Sequence, residues 1–230
     1  MQKGFTLVEM VVVLAIFGVI TSTVLFNYGK FRTTVSLENL AQDIALSIRK
    51  TQSYASSVRG VQLAPSPLGE TVQFPGYGIH FNLPQAPGGT LDGSAKSFVI
   101  FADISGIPAP GSLAVFSGSG AKYDNSMGVD VCGVNLSLGN ECIDFVTITT
   151  SDKISKICTT SNGTTNCATT NVALDIVFTR PKVEPSFCLL SGGSTSCSSA
   201  TISKVSIEVT SALGDTKTIT IWNTGQISTS

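Results

Sequence analysis

KGFTLVEM at residues 3–10, followed by an uncharged run at residues 11–29, decides how the rest of this chain is read. Residues 10–29 are twenty consecutive uncharged positions rich in Val, Leu, Ile and Phe. As an α-helix they extend about 30 Å, enough to cross a bilayer. A secretory signal peptide has a shorter apolar core, with its small-residue cut site after that core. Here the only plausible cut precedes the apolar run. Glu9 sits at the head of the apolar helix, where a carboxylate is expensive to bury and is by default functional, in need of a partner.

Beyond the span the helix continues with a different pattern. Leu37, Leu40, Ala41, Ile44, Ile48, Ala55 and Val58 recur at three- and four-residue spacing, with Glu38, Asn39, Asp43, Arg49 and Lys50 between them. No proline precedes Pro65. One helix from about residue 5 to 58 is expected, roughly 80 Å long, with Gly18 and Gly29 as its soft points. The organisation is therefore a leader at residues 1–4, an apolar helix at 5–29, an amphipathic continuation at 30–60 and a globular part at 61–230.

From Pro65 onward the pattern is β. Val172, Leu174, Ile176 and Phe178 alternate with Ala173, Asp175, Val177 and Thr179; Val205, Ile207 and Val209 alternate with Ser206, Glu208 and Thr210. Both read as half-buried strands. SALGD at 211–215 links the second to TKTITIW, which predicts a C-terminal hairpin. Shorter strands are expected at 77–82, 97–102, 113–117 and 143–149, with turn-rich stretches at 83–96 and 105–112. The fold class is α+β, a long N-terminal helix packed on an antiparallel β domain. No internal repeat is evident.

The six cysteines all lie beyond residue 130. Cys132 and Cys142 enclose GVNLSLGNE, Cys158 and Cys167 enclose TTSNGTTN, and Cys188 and Cys197 enclose LLSGGSTS. Each interval has the Gly with Asn or Ser of a chain reversal. Six cysteines allow fifteen connectivities; sequential pairing is favoured because each pair closes its own local loop, contributing somewhat under about 3 kcal/mol in the chain-entropy model. Zinc is a poor rival, with no CxxC and the sole histidine, His80, far away in sequence. Basic residues flank the span on both sides and do not orient it. The cysteines do, because they call for an oxidising compartment: residues 1–4 face the cytoplasm and the C-terminal domain is exported.

MQKG/FTLVE resembles the signal of type IV prepilins and pseudopilins, with a short basic leader, Gly4 before the cut, Phe5 as the new N-terminus and Glu9 fifth in the mature chain. The resemblance implies that a membrane-embedded prepilin peptidase cuts after Gly4 and methylates the Phe5 amine. It also implies other pilin or pseudopilin subunits, an inner-membrane assembly platform and membrane lipid as partners. Before assembly the chain would be a single-pass membrane protein, and afterwards part of a periplasmic or extracellular filament. Glu9 would pair with the Phe5 amine of a neighbour and so set axial register, since a buried charge stripped of its partner costs about 3–5 kcal/mol. Many major pilins carry a proline partway along the anchor, and this chain has none. GYGIHF at 76–81 followed by SFVIFAD at 97–103 is similar to the minor pilin and pseudopilin branch often called the GspH or FimT type. The alternatives are therefore a minor pilin, a pseudopilin of a secretion or DNA-uptake machine, and a tethered adhesive or binding domain that never polymerises.

Catalysis has little support. GxSxG, HExxH and the phosphate-binding glycine loop are all missing from the sequence. His80 lies in an alternating YGIHF run and reads as structural, and Asp103 and Asp124 are not placed together by sequence. Asp124, Asn125 and Asp130, around Gly128, loosely resemble a calcium loop but lack its full ligand series, so a solvated turn is favoured. The sequons at Asn135 and Asn162 are expected by chance in so Ser/Thr-rich a chain. No enzyme activity and no cofactor are expected. The chain has a formal net charge of −1, but the charge is divided. Residues 1–60 hold six basic and three acidic residues, and residues 61–230 hold eight basic and twelve acidic. DNA binding is disfavoured on an exported domain whose only basic clusters are Lys153 with Lys156 and Arg180 with Lys182.

Overall fold

A computed structural model describes residues 4, 6–57, 59–62, 72–73, 75–85, 95–103, 132, 142–180, 182, 184–191, 197 and 201–230. Its first element, α1 (Leu7–Ser56), is a single helix of 50 residues, about 75 Å long. The apolar period predicts an end at residue 58, but α1 stops at Ser56, and Val58 lies outside the described residues. Serines explain the stop. The Ser57 N–H donates to the Ser53 carbonyl at 2.9 Å, while the Ser56 and Ser57 hydroxyls take the Ser53 and Tyr54 carbonyls. Side chains thereby satisfy carbonyls that a further turn would have used.

All the strand pairings among the described residues are antiparallel. A short ribbon joins β1 (Val61–Gln62) to β2 (Val72–Gln73). Among the described residues two five-stranded sheets follow. The first contains β3 (Gly76–Asn82), β4 (Ser97–Asp103), β5 (Cys142–Thr147), β8 (Val172–Phe178) and β9 (Pro185–Ser191), in the order β5-β4-β3-β8-β9. The second contains β6 (Lys153–Ser161), β7 (Thr164–Ala168), β10 (Lys204–Thr210), β11 (Thr216–Trp222) and β12 (Ile227–Thr229), in the order β12-β11-β10-β6-β7. The expected hairpin at 211–215 joins β10 to β11. The strand expected at 113–117 lies outside the described residues.

The second half of α1 packs against β3 and β8 of one sheet and β10, β11 and β12 of the other. Its stripe of Leu37, Leu40, Ala41, Ile44, Ile48 and Ala55 is buried as expected, joined by Ala45. This stripe shares one core with Tyr77, Ile79 and Phe81, with Leu174, Ile176 and Phe178, and with Val205, Ile207, Ile219 and Ile221. Polar ties run along the seam. Glu38 holds Lys217 at 2.8 Å, Gln42 reaches the Thr229 hydroxyl at 3.2 Å, Gln52 the Gly225 carbonyl at 3.4 Å, and the Ser36 hydroxyl donates to Asp152 at 2.6 Å.

One strand differs from its sequence reading. β8 is buried along its whole length rather than half-buried. It is an inner strand covered on both faces: Leu174, Ile176 and Phe178 enter the helix-facing core, whereas Val177 packs with Val99, Phe101 and Cys142, and Ala173 with Cys188 and Leu190. The residue that made it read as alternating, Asp175, is buried because it bonds to His80 at 2.5 Å, its register partner on β3. In β10 the alternation holds, with Val205, Ile207 and Val209 buried and their neighbours partly exposed.

Candidate functional site

The candidate site is the N-terminal end of α1 and the apolar length that follows it. Gly4 is exposed, with nothing within 4 Å of where a Cβ would sit. Phe5 lies outside the described residues. Thr6 is the N-cap, in extended conformation at φ −79° and ψ 152°. Its hydroxyl accepts from the Glu9 N–H at 3.3 Å, while its own N–H and hydroxyl donate to Glu9 Oε2 at 2.8 and 2.9 Å. This is a reciprocal capping box, whose sequence signature Thr6-Leu7-Val8-Glu9 was present but went unread as a cap. Glu9 therefore has a local duty in starting the helix, and both side-chain bonds fall on one oxygen.

From Leu7 to Phe31 the large apolar side chains project into open space on all sides: Leu7 is 80% exposed, Phe17 67% and Phe26 86%. No residue of the apolar window is buried inside the molecule, and the helix is long and apolar enough to cross a membrane. The hydroxyls of Thr21, Thr23, Thr33 and Thr34 return to the carbonyls of Phe17, Val19, Gly29 and Lys30. These polar groups are thus satisfied within the helix, which a hydrocarbon environment requires. A helix apolar on every face and left uncovered by the described residues suits burial in lipid or among other helices.

The remaining predicted sites are structural or lie elsewhere. Cys132 bonds to Cys142, Cys158 to Cys167 and Cys188 to Cys197. Cys158 and Cys167 face each other across β6 and β7, with Cα atoms 4.0 Å apart. Asn162 and Gly163 turn that hairpin at φ 50° and 79°, the left-handed pair of a type I′ turn. Asn162 is therefore exposed at a hairpin tip. Asp124, Asn125, Asp130 and Asn135 lie outside the described residues, among which no cluster of metal-ligating side chains occurs. His80 and Asp175 are 4% and 0% exposed and bonded to each other; their meeting depends on strand register, which local sequence does not reveal. Asp103 is buried at the end of β4.

Residues 1–25 match the family model described as the prokaryotic N-terminal methylation motif, the type IV pilin and pseudopilin signal. No curated protein and no solved structure gives a significant match to the chain. The chain thus carries a pilin-type signal on an α+β, pilin-like architecture. The motif implies processing by a prepilin peptidase and assembly with other pilin subunits, and with the apolar helix it fits membrane anchoring before assembly.

Proposed function

We propose that this chain is a minor structural subunit of a type IV pilus-like filament, cut after Gly4, methylated on the Phe5 amine and polymerised through α1. The observation that carries the reading is the continuity of the matched signal with an apolar helix that none of the described residues covers. The absence of proline from α1 favours a minor subunit over a major one and leaves a pseudopilin as the runner-up. The domain from residue 61 is exported, which suits three disulfides. It has no catalytic role in this reading, consistent with its histidine being buried and bonded. DNA is disfavoured as its ligand, since Lys156, one of its few clustered cations, is held by Glu208 at 2.9 Å.

Glu9 does two jobs in this proposal, and one substitution separates them. A carboxylate has a second oxygen free to meet a neighbour's cationic amine while the first holds the cap. Glutamine also completes a capping box but cannot balance a buried cation. Glu9→Gln and Glu9→Ala should both be processed normally and both be lost from sheared filament fractions, measured against the membrane pool. Incorporation of the Gln variant at wild-type level would show that the cap, not the charge, is what matters. Equal incorporation of all three proteins would favour a tethered domain.

A further inference from the structure

The ties between α1 and the second sheet fix which end of the globular part faces the span. Glu38 meets Lys217 at the start of β11, and Gln52, farther from the span, meets Gly225 just past its end. β11 therefore climbs away from the anchor as α1 does, and the β10–β11 loop at 211–215 hangs at the anchor-side end. Ser36 gives the same placement from another strand. It bonds Asp152, next to Lys153, and Lys153 faces Thr210 at the end of β10.

Tyr28, Lys30, Phe31 and Arg32, all exposed, form an aromatic and basic collar directly after the uncharged run, the composition of a membrane interface. From Arg32 to Glu38 the helix axis rises about 9 Å. The loop hangs back from the Lys217 level by about one or two strand residues, roughly 3–7 Å. Measured along the helix axis, its level thus lies within a few ångströms of that of the collar, and the headgroup layer adds about 5–7 Å beyond the hydrocarbon core on each side.

The loop is built to present one side chain. Ser211 N–H donates to the Asp215 carbonyl at 2.9 Å, the Ser211 hydroxyl accepts from the N–H groups of Leu213 at 3.3 Å and Asp215 at 3.1 Å, and Gly214 takes φ +89°. At its tip Leu213 is 62% exposed, the one large apolar side chain so exposed beyond α1 among the described residues. Lys153 is exposed at the same end.

We propose that this end of the globular domain is a lipid-seating foot. Leu213 enters the headgroup layer, with Lys153, Lys30 and Arg32 facing anionic phospholipid, and holds the domain against the bilayer before assembly. The proposal rests on the anchoring reading above, extending the contact from helix to domain.

The test uses the full chain in vesicles of phosphatidylethanolamine and phosphatidylglycerol, with lipids brominated near the headgroup end of the acyl chain in one preparation and near the chain terminus in another as quenchers. Leu213→Trp in a Trp222→Phe background gives a single reporter. The native Trp222, at the far end of β11, is the distant control, and Phe17→Trp in the same Trp222→Phe background reports on the span. The indole placed at position 213 should emit blue-shifted light and lose much of it to bromine, while Trp222 is spared. Quenching at position 17 with none at 213 overturns the foot while leaving the anchor standing. No quenching at either position overturns both. A blue shift at 213 without quenching, lost on diluting protein into more lipid, assigns the loop to a second copy and also overturns the proposal.

Discussion

The two halves of α1 are one helix with opposite relations to the rest of the chain. Ile16 is 56% exposed and Ile44 is 0% exposed, although both are isoleucines in the same regular element. The second half has one apolar stripe because its own sheets supply one covering surface. The first half is apolar on every face because its cover must come from outside. Helix pattern thus reports the geometry of what will surround it, and in this chain the change of pattern marks where burial against the chain's own sheets ends.

The largest expected effect lies at the start of the first half. Gly4→Leu should leave the precursor uncut when co-expressed with a prepilin peptidase, because a side chain blocks close approach to the backbone at the cut. Mass spectrometry of the N-terminus should find wild type beginning at methylated Phe5 and the variant retaining residues 1–4. An uncut wild-type chain in that experiment would break the contrast, since the first half would then be an ordinary anchor.

Within the helix, matched truncations sharpen the comparison. Ile44→Ala should destabilise the folded domain by about 2–5 kcal/mol, from lost burial plus the cavity left behind. Ile16→Ala should alter domain stability by less than about 0.5 kcal/mol, as a change outside the core does. Urea unfolding in detergent, followed at Trp222, measures both. Equal losses would mean that the first half also packs on the domain.

Much of this contrast was legible in the sequence, for a physical reason. A helix that is apolar on every face and then covers a sheet with one stripe is written in local periodicity, so the apolar run and the buried stripe from Leu37 to Ala55 were both readable. The cysteine pairs were readable because each closes within a short interval. β6, β7 and β9 were not read as strands, since Thr, Ser and Lys on partly exposed strands mimic loop composition. The burial of β8 on both faces and the His80–Asp175 bond were hidden because they depend on which strands become neighbours. At the candidate site, Gly4 was singled out by resemblance to the prepilin signal and Glu9 also by its charge at the head of the apolar run, whereas the cap role of Thr6 was missed despite a local signature.

A smaller effect concerns the globular domain, which the disulfides brace and the apolar half of α1 does not. Replacing Cys158 and Cys167 together by Ser should lower domain stability by about 2–3 kcal/mol, the chain-entropy value for so short a loop. Insertion of the first half of α1 should be unchanged. A shift in the urea midpoint together with unaltered membrane fractionation is the expected pair of results; loss of fractionation would tie the two regions together after all.

The smallest effect lies on the seam itself, at Glu38 and Lys217. The hydrogen bond from Lys217, then that from Gln42, then the charge of Lys217 hold the Glu38 carboxyl below the usual carboxylate range. A carboxyl lowered on folding adds stability that is present above its unfolded pKa and is lost as pH falls through its folded value. Glu38→Gln should therefore lower the unfolding midpoint at neutral pH, by an amount that shrinks below the ordinary carboxylate range. Both side chains are substantially exposed, at 43% and 33%, so solvent and salt screen the pair and the difference should be small. Added salt at neutral pH should narrow it further. If the variant and wild type differed equally at pH 7, in high salt and in acid, the charge would be irrelevant, and Glu38 would act on the seam through neutral hydrogen bonding or packing alone.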